Sequence, residues 1–417
     1  MTAAPDNERA VPAGQSLVGT TARIAVSKAV SGAASAGVVV VTARELGPEG
    51  RGEFVLLFTL ATFAMIVCGL GISISGRIRL VAADNPVSPG DYLGLVVALS
   101  AVQAAVCALA ATTLLRVFDV HLDLATTAVF VALGVCLFVT YMSIEALNAF
   151  GFTVQAALVD VVGSVVQFAL VLFVAVQKLE TVEPFLAALA ASFALQVVMS
   201  WVALHRFGVD IRPRFRREAW ARLLRDGPPS MAVLFGQHAV FKIDRYLIAL
   251  FLTPGAVGVY SVAAAFPEML RVLPTAMAVP VFYGIASRSG SSEEFARARR
   301  LCIAAVVVVG AAVMALAPIP VRVLFGDAYD GAVGPLRLLI VAEIALAIYY
   351  IDGAALTGQA RVRETAAAVL VGVVVALISY VALIRPLGLN GAALGSVIAY
   401  ASMALVVRNR LGRVLSG

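Results

Sequence analysis

Twelve stretches of about 20 mostly apolar residues run through this chain, and each is long enough to cross a bilayer as a helix. They lie near 15–43, 54–75, 92–115, 124–146, 154–177, 184–204, 228–252, 255–284, 301–323, 333–357, 364–384 and 390–408. Backbone groups in hydrocarbon must find their hydrogen bonds within the segment, so the spans read as helices. Composition agrees: 61% of the 417 residues are hydrophobic and 13% charged, whereas soluble domains run near about 45–50% apolar and about 25% charged. The connections are short, and none could hold a core of its own. The expected fold class is all-α integral membrane, with about twelve transmembrane helices.

Charge placement gives the orientation. Lys and Arg concentrate in cytoplasmic loops of membrane proteins. With the N-terminus inside, 19 of the 31 basic residues fall in cytoplasmic segments, seven of them between Arg206 and Arg225, and only 6 (Arg44, Arg51, Arg116, Lys178, Arg322 and Arg385) fall on the opposite side. The net charge of +6 therefore reports topology, and no nucleic-acid partner is expected. Lysine is nearly absent, at Lys28, Lys178 and Lys242 only, while Arg, Ala and Val abound. That bias points to a GC-rich bacterial genome, and so to a bacterial plasma (inner) membrane, multi-pass, with both termini cytoplasmic. No signal peptide is expected, because the first apolar segment is too long and lacks a small-residue cleavage site.

The longest hydrophilic stretch, from His205 to Asp226, divides the chain into halves. Leu46, Pro48, Gly52 and Phe54 between spans one and two match Leu252, Pro254, Gly258 and Tyr260 between spans seven and eight, at a constant offset of 206 residues. Six helices separate the copies, so the halves share one orientation, a parallel repeat about an axis along the membrane normal. The expected organisation is a disordered cytoplasmic tail (1–14), a six-helix lobe (15–205), a basic cytoplasmic linker (206–227), a second six-helix lobe (228–410) and a tail (411–417). Two such six-helix bundles naturally enclose a central cavity.

Several functions drop out. None of the three lysines follows Gly, so no Walker A phosphate loop exists. The three histidines, His121, His205 and His238, are scattered, and Cys68, Cys107, Cys136 and Cys302 lie within spans without metal-ligand spacing. No nucleophile elbow or dinucleotide fingerprint occurs. No enzyme activity and no cofactor are expected.

Ionisable residues inside spans stand out, since each costs about 2.5–3.5 kcal/mol at the bilayer centre and marks function by default. Arg23 and Lys28 lie in the first span; Gln237, His238, Lys242, Asp244 and Arg245 lie in the seventh; Glu268 and Arg271 lie in the eighth. Lys242 and Arg245, three apart, share a helix face. Glu268 and Arg271 share one too and are expected to pair. Glu145, Asp160, Arg337, Glu343 and Asp352 lie in other spans. Facing lipid, the two cations of span seven alone would cost roughly 5–7 kcal/mol. A hydrated cavity between the halves removes that cost. The candidate substrate-binding residues are Arg23, Lys28, Gln237, Lys242, Asp244, Arg245 and Arg271.

The run from Ala43 to Phe54, followed by Gly69-Leu70-Gly71, resembles the first two helices of bacterial polysaccharide flippases of the multidrug/oligosaccharidyl-lipid/polysaccharide exporter superfamily. Lys242 to Ile248, continuing into Val257 to Ala263, is similar to the start of that family's second half, and Gly326-Asp327-Ala328-Tyr329 and Gly388 to Ala393 fit as well. The resemblance implies a flippase for polyprenyl-diphosphate-linked oligosaccharide, working by alternating access through a cationic cavity. It also implies membrane lipids as surroundings, and glycosyltransferases or a polymerase of the same pathway as candidate partners. Where family members carry a further cation early in span eight, this chain has Ala263, Ala264 and Ala265. The alternatives are an ion-coupled small-molecule or drug exporter of the same superfamily, or a twelve-helix facilitator. Facilitators carry an acidic-arginine signature between spans two and three, whereas this chain reads Gly76-Arg77-Ile78-Arg79-Leu80 there, which speaks against the facilitator.

The topology is directly testable. In a cysteine-free background, Arg217→Cys is expected to react with an impermeant thiol reagent only from the cytoplasmic side, and Asp330→Cys only from outside. Reaction of both from one side would overturn the helix count between them.

Overall fold

A computed structural model describes residues 17–81, 87–118, 120–287 and 292–416. The expected N-terminal tail, 1–14, lies outside them. The helices are α1 (Leu17–Cys68), α2 (Ile72–Arg79), α3 (Pro89–Leu109), α4 (Leu124–Ala149), α5 (Thr153–Val176), α6 (Val182–Arg206), α7 (Arg217–Asp226), α8 (Pro228–Phe251), α9 (Pro254–Leu270), α10 (Val272–Ala286), α11 (Ser292–Leu316), α12 (Pro318–Phe325), α13 (Val333–Gly358) and α14 (Val362–Ser416). No strand occurs among the described residues.

Nine helical segments among the described residues are long and apolar enough to span a membrane. Two of them cross twice. As one rod, the 52 residues of α1 would reach about 78 Å, more than double a hydrocarbon core of about 30 Å. The rod folds back at Gly47, where φ 63° and ψ −178° suit only a residue without Cβ, and Pro48 then starts the second limb. Gly388 (φ 60°, ψ −137°) does the same in α14. α9 and α10 make one crossing between them. α8 crosses too, although Lys242, Asp244 and Arg245 keep it out of the nine. The expected twelve crossings follow, and the all-α membrane fold is borne out.

Two of the expected segments carry helix. α14 continues to Ser416, through 411–416. The basic linker contains α7, whose Ala219 and Leu223 are buried. It is pinned to α3: Arg216 pairs with the buried carboxylate of Asp91 (Nε to Oδ1 2.8 Å), and the Trp220 indole donates to the Asp91 carbonyl at 3.0 Å.

The repeat motifs meet face to face. A Cβ on Gly52 would strike the Pro254 carbonyl, and one on Gly258 would strike the Pro48 carbonyl. Each contact is the other's image at the offset of 206, so the pseudo-two-fold axis passes between these helices. Around it the halves are clasped by Tyr329, donating to the Ala43 carbonyl at 2.7 Å, and by Arg44, donating to the carbonyls of Val323 (2.5 Å) and Leu324 (2.7 Å). Tyr246 donates across to the Leu56 carbonyl at 3.0 Å. Beside these contacts, Phe63 packs against Phe235, His238 and Tyr246. Val26 and Val30 on α1 and Val272, Val279 and Tyr283 on α10 are exposed.

Added bulk at this contact should force the halves apart. Gly52→Ala and Gly258→Ala are expected to lower stability by about 1–3 kcal/mol, the usual cost of overpacking. Gly284→Ala, with nothing within 4 Å of its Cβ position, should leave it unchanged. Thermal unfolding of the purified variants in detergent checks the difference.

Candidate functional site

The sequence concentrates its intramembrane charge in α8 to α10, and the structure gathers it around one carboxylate. α8 carries Lys242 and Arg245 on one face, as their spacing requires. Both point at Glu268 on α9. Lys242 Nζ donates to its two oxygens at 2.8 and 2.9 Å, and the Arg245 guanidinium donates to Oε1 at 2.7 Å. Asp244, nearly fully buried, sits 3.4 Å from the same guanidinium on the side away from Lys242.

The expected Glu268–Arg271 pair does not form. Pro274 has no N–H to return to Leu270, so the helix breaks at Arg271 between α9 and α10. The break turns the Arg271 guanidinium toward α13, where it pairs with buried Glu343 (Nε to Oε2 3.3 Å) and lies 4.5 Å over the Phe241 ring. Behind this layer, Tyr380 and Ser396 share a hydrogen bond at 3.0 Å, and Tyr260 approaches the same hydroxyl at 3.5 Å.

Three cations, Lys242, Arg245 and Arg271, thus face three acids, Asp244, Glu268 and Glu343. The expectation of a cationic cavity needs correcting here, because the cluster is balanced. Its accessible part is the Lys242–Glu268 pair, with side chains 27% and 33% exposed, while Arg245 is 5% exposed. An anion reaching this site meets the ammonium only in competition with Glu268.

The other in-membrane charges are also answered from neighbouring helices. Lys28 pairs with Asp160 on α5 at 3.0 Å, supported by the Ser31 hydroxyl at 3.1 Å. Glu145 pairs with Arg77 and Asp352 with Arg299, and Arg337 donates to the Met314 carbonyl at 3.2 Å. The side chain of Arg23 lies outside the described residues. Gln237 stands apart from the charges and donates to the Tyr349 hydroxyl at 3.4 Å, in a cleft of about 370 Å³ between α8, α10 and α13.

Sequence reasoning missed Arg51. It was counted among the outer cations, yet it is buried between the halves. It donates to the hydroxyls of Thr42 (2.6 Å) and Ser261 (3.3 Å) and lies 5.3 Å over the Phe54 ring. The signal available was Pro48, which opens a helix and places Arg51 in its first turn rather than in a loop. Among the described residues no group of His, Cys, Asp and Glu could hold a metal ion.

Solved structures share this arrangement of twelve crossings in two halves. An inward-facing multidrug resistance MATE family transporter of the MOP superfamily is similar over 94% of this chain and 99% of that one, at 17% identity and TM-score 0.73. The lipid II flippase MurJ, in an inward closed conformation, is similar over 93% and 87%, at 11% identity and TM-score 0.75. A MOP superfamily transporter from Pyrococcus furiosus, described by the reversed polarity of its binding pocket, is similar over 95% and 96%, at 16% identity and TM-score 0.65. A search of curated protein sequences finds no match. The model of the polysaccharide biosynthesis protein family matches residues 18–288, more than half of the chain, and the protein belongs to that family. The resemblance noted in the motifs therefore holds at the level of the family: this is a multi-pass membrane protein of the polysaccharide biosynthesis family, and the solved transporters it matches share its fold.

The Arg271–Glu343 pair is expected to be structural. Glu343→Ala strands a buried guanidinium, at about 3–5 kcal/mol, and should cut the amount of folded protein in the membrane severalfold. Arg271→Met combined with Glu343→Leu should restore it. Membrane abundance by immunoblot reads both outcomes.

Proposed function

We propose that the protein is a flippase that carries a polyprenyl-diphosphate-linked oligosaccharide from the cytoplasmic to the outer leaflet. The observation that carries this reading is the partly exposed Lys242–Glu268 pair at the edge of a buried charge cluster, in a chain of the polysaccharide biosynthesis family. Sugar hydroxyls left unpaired in hydrocarbon cost several kcal/mol each, so the headgroup needs a polar route. The polyprenyl tail needs none and stays in the lipid. A diphosphate is anionic, and Lys242 has three N–H donors, two of which are engaged by Glu268. The diphosphate takes the ammonium in exchange for that carboxylate, with Arg245 and Arg271 behind it lending long-range attraction. Asp244 and Glu343 keep those two guanidiniums in place. Lys28, on the first limb of α1, extends the polar path along the opposite lobe, and Gln237 extends it along α8.

With the arginine-rich end in the cytoplasm, the Gly52–Gly258 contact seals the outer side and the site opens inward. Export then requires the two halves to part at Arg51 and close at the other end. Glycosyltransferases or a polymerase of the same pathway supply the cargo and use it.

Charge must then matter more than length at Lys242. Lys242→Arg should keep part of the transport, and Lys242→Gln should lose most of it, at membrane abundance within about twofold. Cells carrying the Gln variant should accumulate lipid-linked oligosaccharide on the cytoplasmic leaflet, read by radiolabelled sugar in extracted lipids, with resistance to cationic drugs unchanged. Wild-type surface glycan in a deletion strain that has become drug-sensitive would sink the flippase reading and favour a drug exporter.

A further inference from the structure

The cleft beside Gln237 is distinct from the charge cluster in both shape and chemistry. α10 leaves the line of α9 at Arg271, and Pro274 and Pro280 within it withhold two backbone N–H groups. The displaced helix stands off α13 and closes on it again at Gly358, where a Cβ would meet the Phe282 carbonyl at 2.9 Å and Ile285 Cβ at 3.2 Å. The space between holds about 370 Å³, within the range of small-molecule sites.

Its lining is unusual for this chain. Phenylalanine, tyrosine and tryptophan make up 8% of the sequence, yet Phe282, Tyr283, Tyr349 and Tyr350 all line the cleft, with Gln237 and Thr357. No ionisable acid or base of the Asp, Glu, Lys, Arg or His type lines it. Tyr283 is 64% exposed, a ring face left open. Gln237 donates to Tyr349 at a long 3.4 Å, so both retain hydrogen-bonding capacity. Thr357 lies 3.3 Å from the Thr365 hydroxyl at the cleft's floor.

We propose that this cleft is a subsite for a sugar ring of the transported lipid, a step that rests on the flippase reading above. A pyranose presents an apolar C–H face and a rim of hydroxyls. The electron-rich face of an aromatic ring attracts the positively polarised C–H edge, and an amide, phenols and threonines supply donors and acceptors in the same plane. A lipid tail would use neither the amide nor the hydroxyls, and a diphosphate would find no cation here. Gln237 lies five residues from Lys242 on α8, about 7.5 Å along the axis toward the arginine-rich end and about 140° around it, so a headgroup with its diphosphate at Lys242 reaches the cleft by passing from the α9 side of α8 to its α13 side.

The test compares two lipids binding to the purified full-length protein in nanodiscs: a polyprenyl diphosphate without sugar, and the same lipid carrying one hexose or N-acetylhexosamine from a small panel. Wild type should bind at least one glycosylated lipid about tenfold more tightly than the bare one. Tyr283→Ala and Tyr349→Phe, the first exposed and the second losing only a hydroxyl, should erase that advantage. If bare lipid binds and no sugar improves it, or if the advantage survives both substitutions, the sugar subsite is wrong while the diphosphate site stands. If neither lipid binds wild type, the flippase reading fails, and the subsite with it.

Discussion

A charged side chain in hydrocarbon must be answered by a partner on a neighbouring helix, and that requirement organises the second half of this protein. In water an exposed ion pair is worth about 0–1 kcal/mol. Within a bilayer the alternative to pairing is an isolated charge, so pairs dictate which helices touch. Glu268 draws α8 and α9 together through Lys242 and Arg245. Arg271 ties the break between α9 and α10 to α13 through Glu343, and Asp352 ties α13 to α11 through Arg299. These links run within one half, which makes that half a rigid body.

Contacts between the halves are of a different kind. At the closed end they consist of glycines against proline carbonyls, and of tyrosine and arginine donors on backbone oxygens. Arg51 is the buried cation there; its guanidinium donates to two hydroxyls and lies over an aromatic face. Parting this interface exposes Arg51 to water, which solvates a guanidinium well, and leaves no acid stranded. Breaking Arg271 from Glu343 would leave two buried charges unanswered. The balance favours separation between the halves over rearrangement inside one, as rocking about a fixed site requires.

The sequence carried the fold better than the site, for a physical reason. Span length, arginine asymmetry and the offset of 206 are local or summed properties, readable from one chain. Helical spacing tells which face a residue shares, and so Lys242 and Arg245 were correctly placed together. It does not tell which helix that face meets. Glu268 and Arg271 share a face only if the helix is continuous, and the break ahead of Pro274 sends them to different partners. Arg51 shows the same limit: counted as an outer cation from charge statistics, it is buried because Pro48 begins a helix directly after the fold-back at Gly47. The tyrosines of the cleft, Tyr283, Tyr349 and Tyr350, carried no sequence signal, since aromatic residues are unremarkable in an apolar span until the helices that bear them are placed side by side.

The repeat also shows how a symmetric scaffold can hold an asymmetric cargo. At the offset of 206 that pairs Pro48 with Pro254, the counterparts of Lys242, Asp244 and Arg245 are Ala36, Val38 and Val39, and those of Glu268 and Arg271 are Thr62 and Met65. One half therefore keeps the backbone geometry without the charge cluster. Matching backbones give the two halves equivalent surfaces at the Gly52–Gly258 contact. With the charges confined to one half, the counterpart positions of the other are uncharged, and nothing there competes with the cluster's own pairs.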